Sequence, residues 1–469
     1  MTTRPKSAHP RRRARASVMH ARAAASASAR QPGAGLPPRR LAARLWEQVM
    51  EEGQMLDVAL ARADAALSRL PRQDRALTER IVRTALKHHG QIRAALSRFI
   101  TRPLPRKAGW VRALLHTAAA QILFMRTPDH AVIDLAVTLA RARPATRHLA
   151  GLVNAVLRRL AGVRDSLLAE QDPARLNLPD WLHTIWTRAW GSQGTRAIMQ
   201  AVMEEPPLDL TLKDPESAEE WAARLNATVL PTGTLRIPHP ESPVPALPGF
   251  AEGAWWVQDA AAALPARLFG DVRGRTVLDL CAAPGGKTAQ LAAAGAKVTA
   301  LDISEKRLER LRENLSRLDL SAEIVCADAL RWTPPLPFDA ILLDAPCTAT
   351  GTARRHPEVL WLKTLKQQQE LVTLQRRMLN AALAMLKPGG MLVYCVCSLQ
   401  PEEGEEQIAR FLAEHKGDVS LQPINPDELP GIEHAITEEG TLRTLPHYRI
   451  GSAHTMDGFF AARLVKAAS

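Results

Sequence analysis

The chain has 469 residues, 46% of them hydrophobic, which fits two to four domains with sizeable cores. No apolar run approaches the ~18 residues of a membrane span. The five cysteines, Cys281, Cys326, Cys347, Cys395 and Cys397, lack the spacing of a disulfide framework or a zinc site, so a reducing, cytoplasmic setting without metal is expected. The net charge of +13 is unevenly placed: residues 1–40 hold ten Lys/Arg and no acid, residues 41–160 are net +11, and residues 161–469 are net −8. A polyanion, nucleic acid above all, is therefore expected at the N-terminal third.

In chain order, residues 1–37 are rich in Arg, Ala, Ser and Pro and cannot form a core. A disordered tail is expected there. Solubilising and RNA-affinity readings both stand, and a transit-peptide reading ranks last for want of a cleavage site. Residues 38–165 show spacings of three and four and no alternation, which predicts a helical bundle. Its helices carry Leu41, Leu45 and Val49; then Ile81, Ala85 and His88-His89; then Val111 to Met125; then Asp129 to Leu139; then Leu149 to Leu160. The histidine pair reads as structural. Residues 166–270 predict a small α+β subdomain with strands at Pro206–Lys213 and Thr234–Ile237 and helices from Asp180 and over Ser217–Leu225. Trp255-Trp256 leads from it toward a helix, either as core or as a platform for a stacked base.

From 271 to 469 the pattern is regular βαβ, predicting a doubly wound, mostly parallel sheet of the Rossmann-like kind. Strands are expected at Arg275–Leu280, Lys297–Leu301, Glu323–Cys326, Phe338–Leu343 and Met391–Val396. Helices are expected at Lys287–Ala294, Glu305–Leu318, Trp361–Leu386 and Pro401–Glu414. Open sheets of this kind bind ligands at the carboxyl ends of their strands. Asp344 and Cys347 follow one buried strand there, and Cys397 follows another. After the first strand, Cys281-Ala282-Ala283-Pro284-Gly285-Gly286-Lys287 places a glycine pair before a helix, a backbone that a ligand approaches closely. The spacing is not that of a dinucleotide fingerprint. Asp302 ends the second strand, at the distance where an acid grips ribose hydroxyls, and Asp328 follows the third. Any one such acid could simply cap a helix. Together with Asp344 they suit a ligand with a cationic part, such as S-adenosylmethionine, better than they suit phosphates.

Two stretches of the bundle, Asp129-His130-Ala131-Val132-Ile133-Asp134-Leu135-Ala136 and Leu152-Val153-Asn154-Ala155-Val156-Leu157-Arg158, resemble the RNA-binding helical domain of the NusB family. Leu280–Thr288, Asp344-Ala345-Pro346-Cys347-Thr348-Ala349-Thr350-Gly351 and Cys397-Ser398-Leu399-Gln400-Pro401-Glu402-Glu403 resemble the RNA cytosine-5 methyltransferases of the NOL1/NOP2/Sun family. Arg354-Arg355-His356-Pro357-Glu358 with Trp361, and Asp457-Gly458-Phe459-Phe460, resemble further blocks of that family. With the helical domain in front, the resemblance is to the family's bacterial Sun branch and covers about residues 38–466. Two positions depart from the pattern: Val396 stands where Thr or Ser usually precedes the cysteine, and Lys213 stands where Arg is frequent.

The resemblance implies S-adenosylmethionine as cofactor, 16S rRNA as partner and carbon 5 of a cytosine, nucleotide 967, as target. It implies Cys397 as nucleophile, Cys347 as the residue that helps resolve the adduct, Asp344 near nitrogen 3 of the base and at the cofactor, and Lys287 as an ordering residue. The cofactor would lie against Cys281, Ala282, Ala283, Pro284, Gly285, Gly286, Lys287, Asp302, Asp328 and Asp344. Chemistry alone does not rank the thiols, since DNA cytosine-5 methyltransferases use a Pro-Cys cysteine, which here is Cys347. Cys281, Cys326 and Cys395 read as packing residues, although Cys281 belongs to the cofactor loop. A tRNA substrate, or a catalytically silent RNA-binding factor, is the alternative. A monomer is expected.

Overall fold

The computed structural model describes residues 35–240, 242–451 and 455–468. The basic run up to residue 34, where a disordered tail is expected, lies outside the described residues.

The helical bundle forms as the spacing predicts. Its helices are α1 Leu36–Met50, α2 Leu56–Arg62, α3 Arg72–Lys87, α4 His89–Ser97, α5 Gly109–Leu123, α6 Asp129–Ala142, α7 Ala150–Gly162 and α8 Arg164–Glu170. Helix α5 is apolar almost all round, and it runs through the middle of the bundle with α1, α3, α6 and α7 against it. The predicted face of α1 is the buried one, with Leu45, Trp46 and Val49 in the core. Leu167 of α8 belongs to the same core, so the bundle's apolar centre runs slightly past residue 165. His89 is structural, as expected: its ring stacks 5.1 Å from His116, which in turn stacks 4.4 Å from Trp46.

The long helix α9, Asp180–Met203, bends where Gly191 takes φ +69°. It leads to β1 Leu208–Leu212, α10 Ala218–Leu225, β2 Thr228–Val229, β3 Leu235–Ile237 and β4 Trp255–Val257. The strands pair antiparallel in the order β2-β3-β1-β4. This small sheet is pinned by a buried ion pair in which Arg236 donates twice to Asp209, at 2.8 and 2.7 Å. Asp209 also accepts from the Ala260 amide, so its charge is satisfied on several sides. Removing one partner of such a pair costs about 3–5 kcal/mol. Trp255 and Trp256 sit on a strand rather than at the head of a helix, and both are buried. They are core residues, and the base-stacking reading is set aside because their rings are not free. Lys213 donates to the Leu318 carbonyl at 2.6 Å, at the end of a helix of the next domain.

The last domain contains β5 Thr276–Leu280, α11 Gly286–Ala293, β6 Lys297–Asp302, α12 Glu305–Leu318, β7 Glu323–Cys326, β8 Phe338–Asp344, α13 Leu365–Met385, β9 Leu386–Val396, α14 Glu405–Glu414, β10 Val419–Leu421, β11 Leu442–Thr444 and β12 Phe459–Lys466. The sheet order is β10-β12-β9-β8-β5-β6-β7, with β11 also on β12. Strands β5 to β9 are mutually parallel, and β12 runs antiparallel along β9 from Phe460↔Val396 to Val465↔Met391. The order reverses between β5 and β8, which opens a crevice at their carboxyl ends. The expected helix over 361–386 is two pieces. A turn at Val359–Leu362 stops at Lys363, and α13 restarts from a capping box in which Thr364 and Gln367 bond each other. The expected helix from Pro401 likewise begins as a separate tight turn, Pro401–Glu403, before α14.

The bundle docks on the segment after the Cys347 loop. The Leu56 amide donates to Glu358 Oε1 at 3.0 Å, the Trp361 ring lies 4.7 Å from the His89 ring, and Arg93 of the same helix lies over Trp361, 5.0 Å from its centroid. Among the described residues, no helix is long and apolar enough to cross a membrane.

Candidate active site

Strands β8 and β9 are adjacent and parallel, so the loops after them leave the sheet side by side. Cys347 Sγ and Cys397 Sγ lie 3.5 Å apart. Asp344, the last residue of β8, receives the Lys287 ammonium from α11 at 2.8 Å. Its other oxygen accepts from the Cys395 thiol at 3.6 Å. The same ammonium lies 5.0 Å from the Phe459 ring centroid. The expected quartet of Cys397, Cys347, Asp344 and Lys287 is thus brought to one edge of the sheet.

The protonation states follow from these neighbours. Burial opposes the Lys287 charge, but Asp344, Cys395 and Asp279 together outweigh it and hold the pKa above the ordinary lysine value. The Cys347 thiol is pushed well up by its hydrogen bond to Cys397, by burial, and by the charges of Cys397 and Glu403. Burial and the Asp344 charge do the same to Cys395. Cys395 is fully buried and packs in the core, as expected, whereas Cys326, at the end of β7, is exposed and does not pack there. Val396 and Tyr394 belong to the core on the opposite face of β9. The hydroxyl that Val396 lacks would therefore lie across the sheet from Cys395, on the face where Cys347 packs.

The loop from Cys281 to Gly286 turns sharply off β5. Cys281 has φ +62° and Gly285 φ +102°, and the Ala283-Pro284 peptide is cis. A Cβ on Gly285 would meet Leu311 of α12 at 2.9 Å, so glycine is required by space as well as by φ. Burial pushes the Cys281 thiol up. Asp302, nearly inaccessible at the end of β6, accepts from the Ala283 and Ser304 amides at 3.3 and 3.0 Å. The end of β7 lies beside it, where the Ala327 amide donates to the Asp302 carbonyl at 3.2 Å. Asp328 bonds the Leu330 amide at 3.0 Å and so caps its own turn. The loop from Cys281 and the ends of β6 and β7, with Asp302 and Asp328, thus lie together at the carboxyl edge of the sheet.

Several contributors were not visible in the sequence. Arg307 pairs with Asp302 at 3.2 Å and also donates to the Ala283 carbonyl, bridging the β6 end to the glycine loop. Asp279, inside β5, accepts from Thr288 at 2.6 Å, and burial pushes its carboxyl up to about 7. The two late sequence blocks bind each other. Arg354 reaches Asp259 and Asp457 at 3.1 Å each, and Arg355 reaches Asp259 at 2.6 Å. Burial and the nearby Asp259 charge push the Asp457 carboxyl up to about 6. The paired Arg354-Arg355 and the late Asp457-Gly458 were the available signals, but nothing local says that they meet.

A sheet of this order with such an edge, behind a helical domain of the NusB type, defines a Rossmann-like methyltransferase. Residues 268–465 match the family model described as 16S rRNA methyltransferase RsmB/F, and residues 36–162 match that of the NusB family. The chain belongs to the RsmB/F family of 16S rRNA methyltransferases. It is 38% identical over 445 residues to the ribosomal RNA small subunit methyltransferase B of Klebsiella pneumoniae subsp. pneumoniae, covering 91% of this chain and 98% of that protein. The protein of the same name from Cronobacter sakazakii is 37% identical over 449 residues, with the same coverage. Among solved structures, PH0851 aligns with TM-score 0.73 and 25% identity over 92% of this chain and 99% of that one. The structure of NSun6 from Pyrococcus horikoshii with SFG aligns with TM-score 0.52 and 21% identity, over 62% of this chain and 98% of that one, and shares the fold.

Proposed function

We propose that this protein methylates carbon 5 of a cytosine in 16S rRNA, at the position of the nucleotide 967 type, through a covalent cysteine–cytosine adduct. The observation that carries the reading is the pair of thiols 3.5 Å apart beside the Lys287–Asp344 ion pair. Its RNA class is supported by the names of the relatives and of the family model. In this reading residues 38–165 grip RNA, 166–270 connect, and 271–469 carry the chemistry.

S-adenosylmethionine fits the other side of the crevice. The loop from Cys281 turns sharply through Gly285 and Gly286, whose backbone carries no side chain toward a ligand, Asp302 stands at the end of β6, and Ile303 next to it is 69% exposed, an apolar surface suited to a purine face. Residues 281–287, with Asp302, Asp328 and Asp344, would hold it. When bound it supplies an electrophilic methyl on a sulfonium, which carbon 5 takes up, leaving a neutral thioether.

The chain's own residues do the rest. Carbon 5 of cytosine is a weak nucleophile, so the Cys397 thiolate adds to carbon 6, and the ring electrons pass to carbon 5. Asp344, oriented by Lys287, stands at the nitrogen 3 side of the base. After methyl uptake, the carbon 5 proton leaves to a base, the carbon 6–sulfur bond breaks, and the double bond returns. Cys347, held as a thiol, assists that resolution and product release. The base reaches the crevice from a loop or by flipping out of a helix.

The test is bisulfite sequencing of 16S rRNA from cells with and without the gene. One protected cytosine should be lost, and restored by the wild type but not by Cys397→Ala. Cys347→Ala should accumulate a covalent RNA adduct. Normal methylation supported by Cys397→Ala would sink the assignment.

A further inference from the structure

Thiol chemistry of this kind depends on where two loops put their sulfurs, and one side chain joins both loops. Glu403 is fully buried. Its Oε1 accepts from the Thr348 amide and from Gln375 Nε2, both at 3.0 Å. Its Oε2 accepts from the Ser398 hydroxyl at 2.6 Å and from the Thr348 hydroxyl. Thr348 follows Cys347, and Ser398 follows Cys397. The carboxylate therefore grips the residue immediately after each thiol. Gln375, from α13, also donates to the Pro346 carbonyl at 2.9 Å, on the other side of Cys347. The Glu403 carbonyl is itself fixed by the Tyr394 hydroxyl at 2.7 Å. Among the described residues no cationic side chain pairs with the carboxylate. Its donors are an amide, a carboxamide and two hydroxyls.

A structural salt bridge would leave no charge behind. Burial pushes the Glu403 carboxyl up while its hydrogen bonds from neutral donors favour the charged form; with no cation paired to it, its field reaches its surroundings, the Cys347 thiol and the Tyr394 hydroxyl among them. We infer that Glu403 is a positioning residue for the reaction: it sets the separation of Cys347 and Cys397, and its charge keeps Cys347 in the thiol form. The inference rests on the cysteine roles proposed above. It gives the acid of the Pro-Glu-Glu turn a task that helix capping does not explain, since that acid is turned inward and its neighbour Glu402 faces Gln368 and Arg188 instead. The Glu403 charge also contributes to the raised thiol of Cys347.

The test uses the full-length protein with 16S rRNA and S-adenosylmethionine. Glu403→Gln keeps the shape and the Thr348 amide bond but removes the charge. Its kcat should fall about tenfold or more, while KM for both substrates stays within about twofold. In a Cys397→Ala background, Glu403→Gln should move iodoacetamide alkylation of Cys347, followed on its peptide by mass spectrometry, to lower pH. Glu403→Asp keeps the charge but shortens the reach, so kcat falls with an unmoved alkylation profile. If Glu403→Gln does not fold, Ser398→Ala removes one donor and should lower kcat at constant KM. Wild-type kcat, a loss confined to KM, or an unmoved alkylation profile in Glu403→Gln would overturn the inference; wild-type kcat in Ser398→Ala would do so if that variant is the one measured. Turnover retained by Cys397→Ala alone would instead overturn the reading beneath it.

Discussion

Gly351→Ala should cripple the enzyme without touching a reactive group. Gly351 lies in the turn that ends the Cys347 loop, and its amide donates to the Cys397 carbonyl at 3.0 Å. Its carbonyl accepts from the Gly458 amide at 2.9 Å. A Cβ added there would stand 1.9 Å from the Gly458 carbonyl oxygen and 3.0 Å from that of Cys397. Both obstacles are backbone, so no side chain can swing aside. Relief needs a shift of about 1 Å, and it falls on the contacts that align the two cysteine loops. Weakening two buried hydrogen bonds and overpacking the turn costs about 2–5 kcal/mol. For a domain of this size that lowers Tm by roughly 5–15 °C. A misplacement of about 1 Å at reacting groups is worth about 10²-fold in rate. Thermal denaturation and methyl transfer to 16S rRNA, measured below the variant's Tm, read the two effects separately. A variant with wild-type Tm and turnover would show that the 351 and 458 backbones are not in contact.

Two other perturbations follow from the same geometry. The Asp279 carboxyl sits at about 7 in the folded protein against 3.8 ordinarily, so its contribution to stability is present at low pH and is lost as pH rises through that window. The Tm of Asp279→Asn minus that of the wild type should therefore rise between about pH 4 and pH 7 and then level off; a flat difference would refute the shift. Glu358→Ala leaves the buried Leu56 amide without its acceptor, at about 1–3 kcal/mol. Hydrogen exchange at Leu56 should accelerate in the variant while α5 stays protected, and unchanged exchange at Leu56 would show that this bond does not hold the bundle in place.

The helical bundle, the parallel strands and the cysteine edge were legible in the sequence because each has a local sign. Leu308, Leu311, Leu315 and Leu318 make a helical stripe, and all four are buried on α12. Ile341-Leu342-Leu343 reads as a buried strand and is one. Strand β12 was not legible as a strand. Arg463 interrupts its apolar run, and only the fold shows that this arginine is buried against Glu428, at 2.6 Å, and against main-chain carbonyls. Of the candidate site, the thiols, Asp344 and Lys287 are marked by their place at strand and helix ends. Glu403 is not marked, because an acid in a first turn satisfies capping whether it points out or in. Asp279 looks like one polar residue in a strand until its depth is known. Arg307 and Asp302 are five residues apart, and the partnership appears only once β6 and α12 pack.

The strand that carries Cys397 has two neighbours of different ages. Its partner β8 precedes it in the chain, but β12, on its other side, is made only after all the residues from Cys397 to Gly458. Phe459, which packs over Lys287, and Gly458, which meets Gly351, arrive with that strand. During the seconds that this stretch takes to synthesise, the basic bundle is complete in the chain, while β9 still lacks the neighbour that brings Gly458 to Gly351. The part of the chain with the large positive charge is thus finished first, and the sheet edge that seats the two sulfurs last.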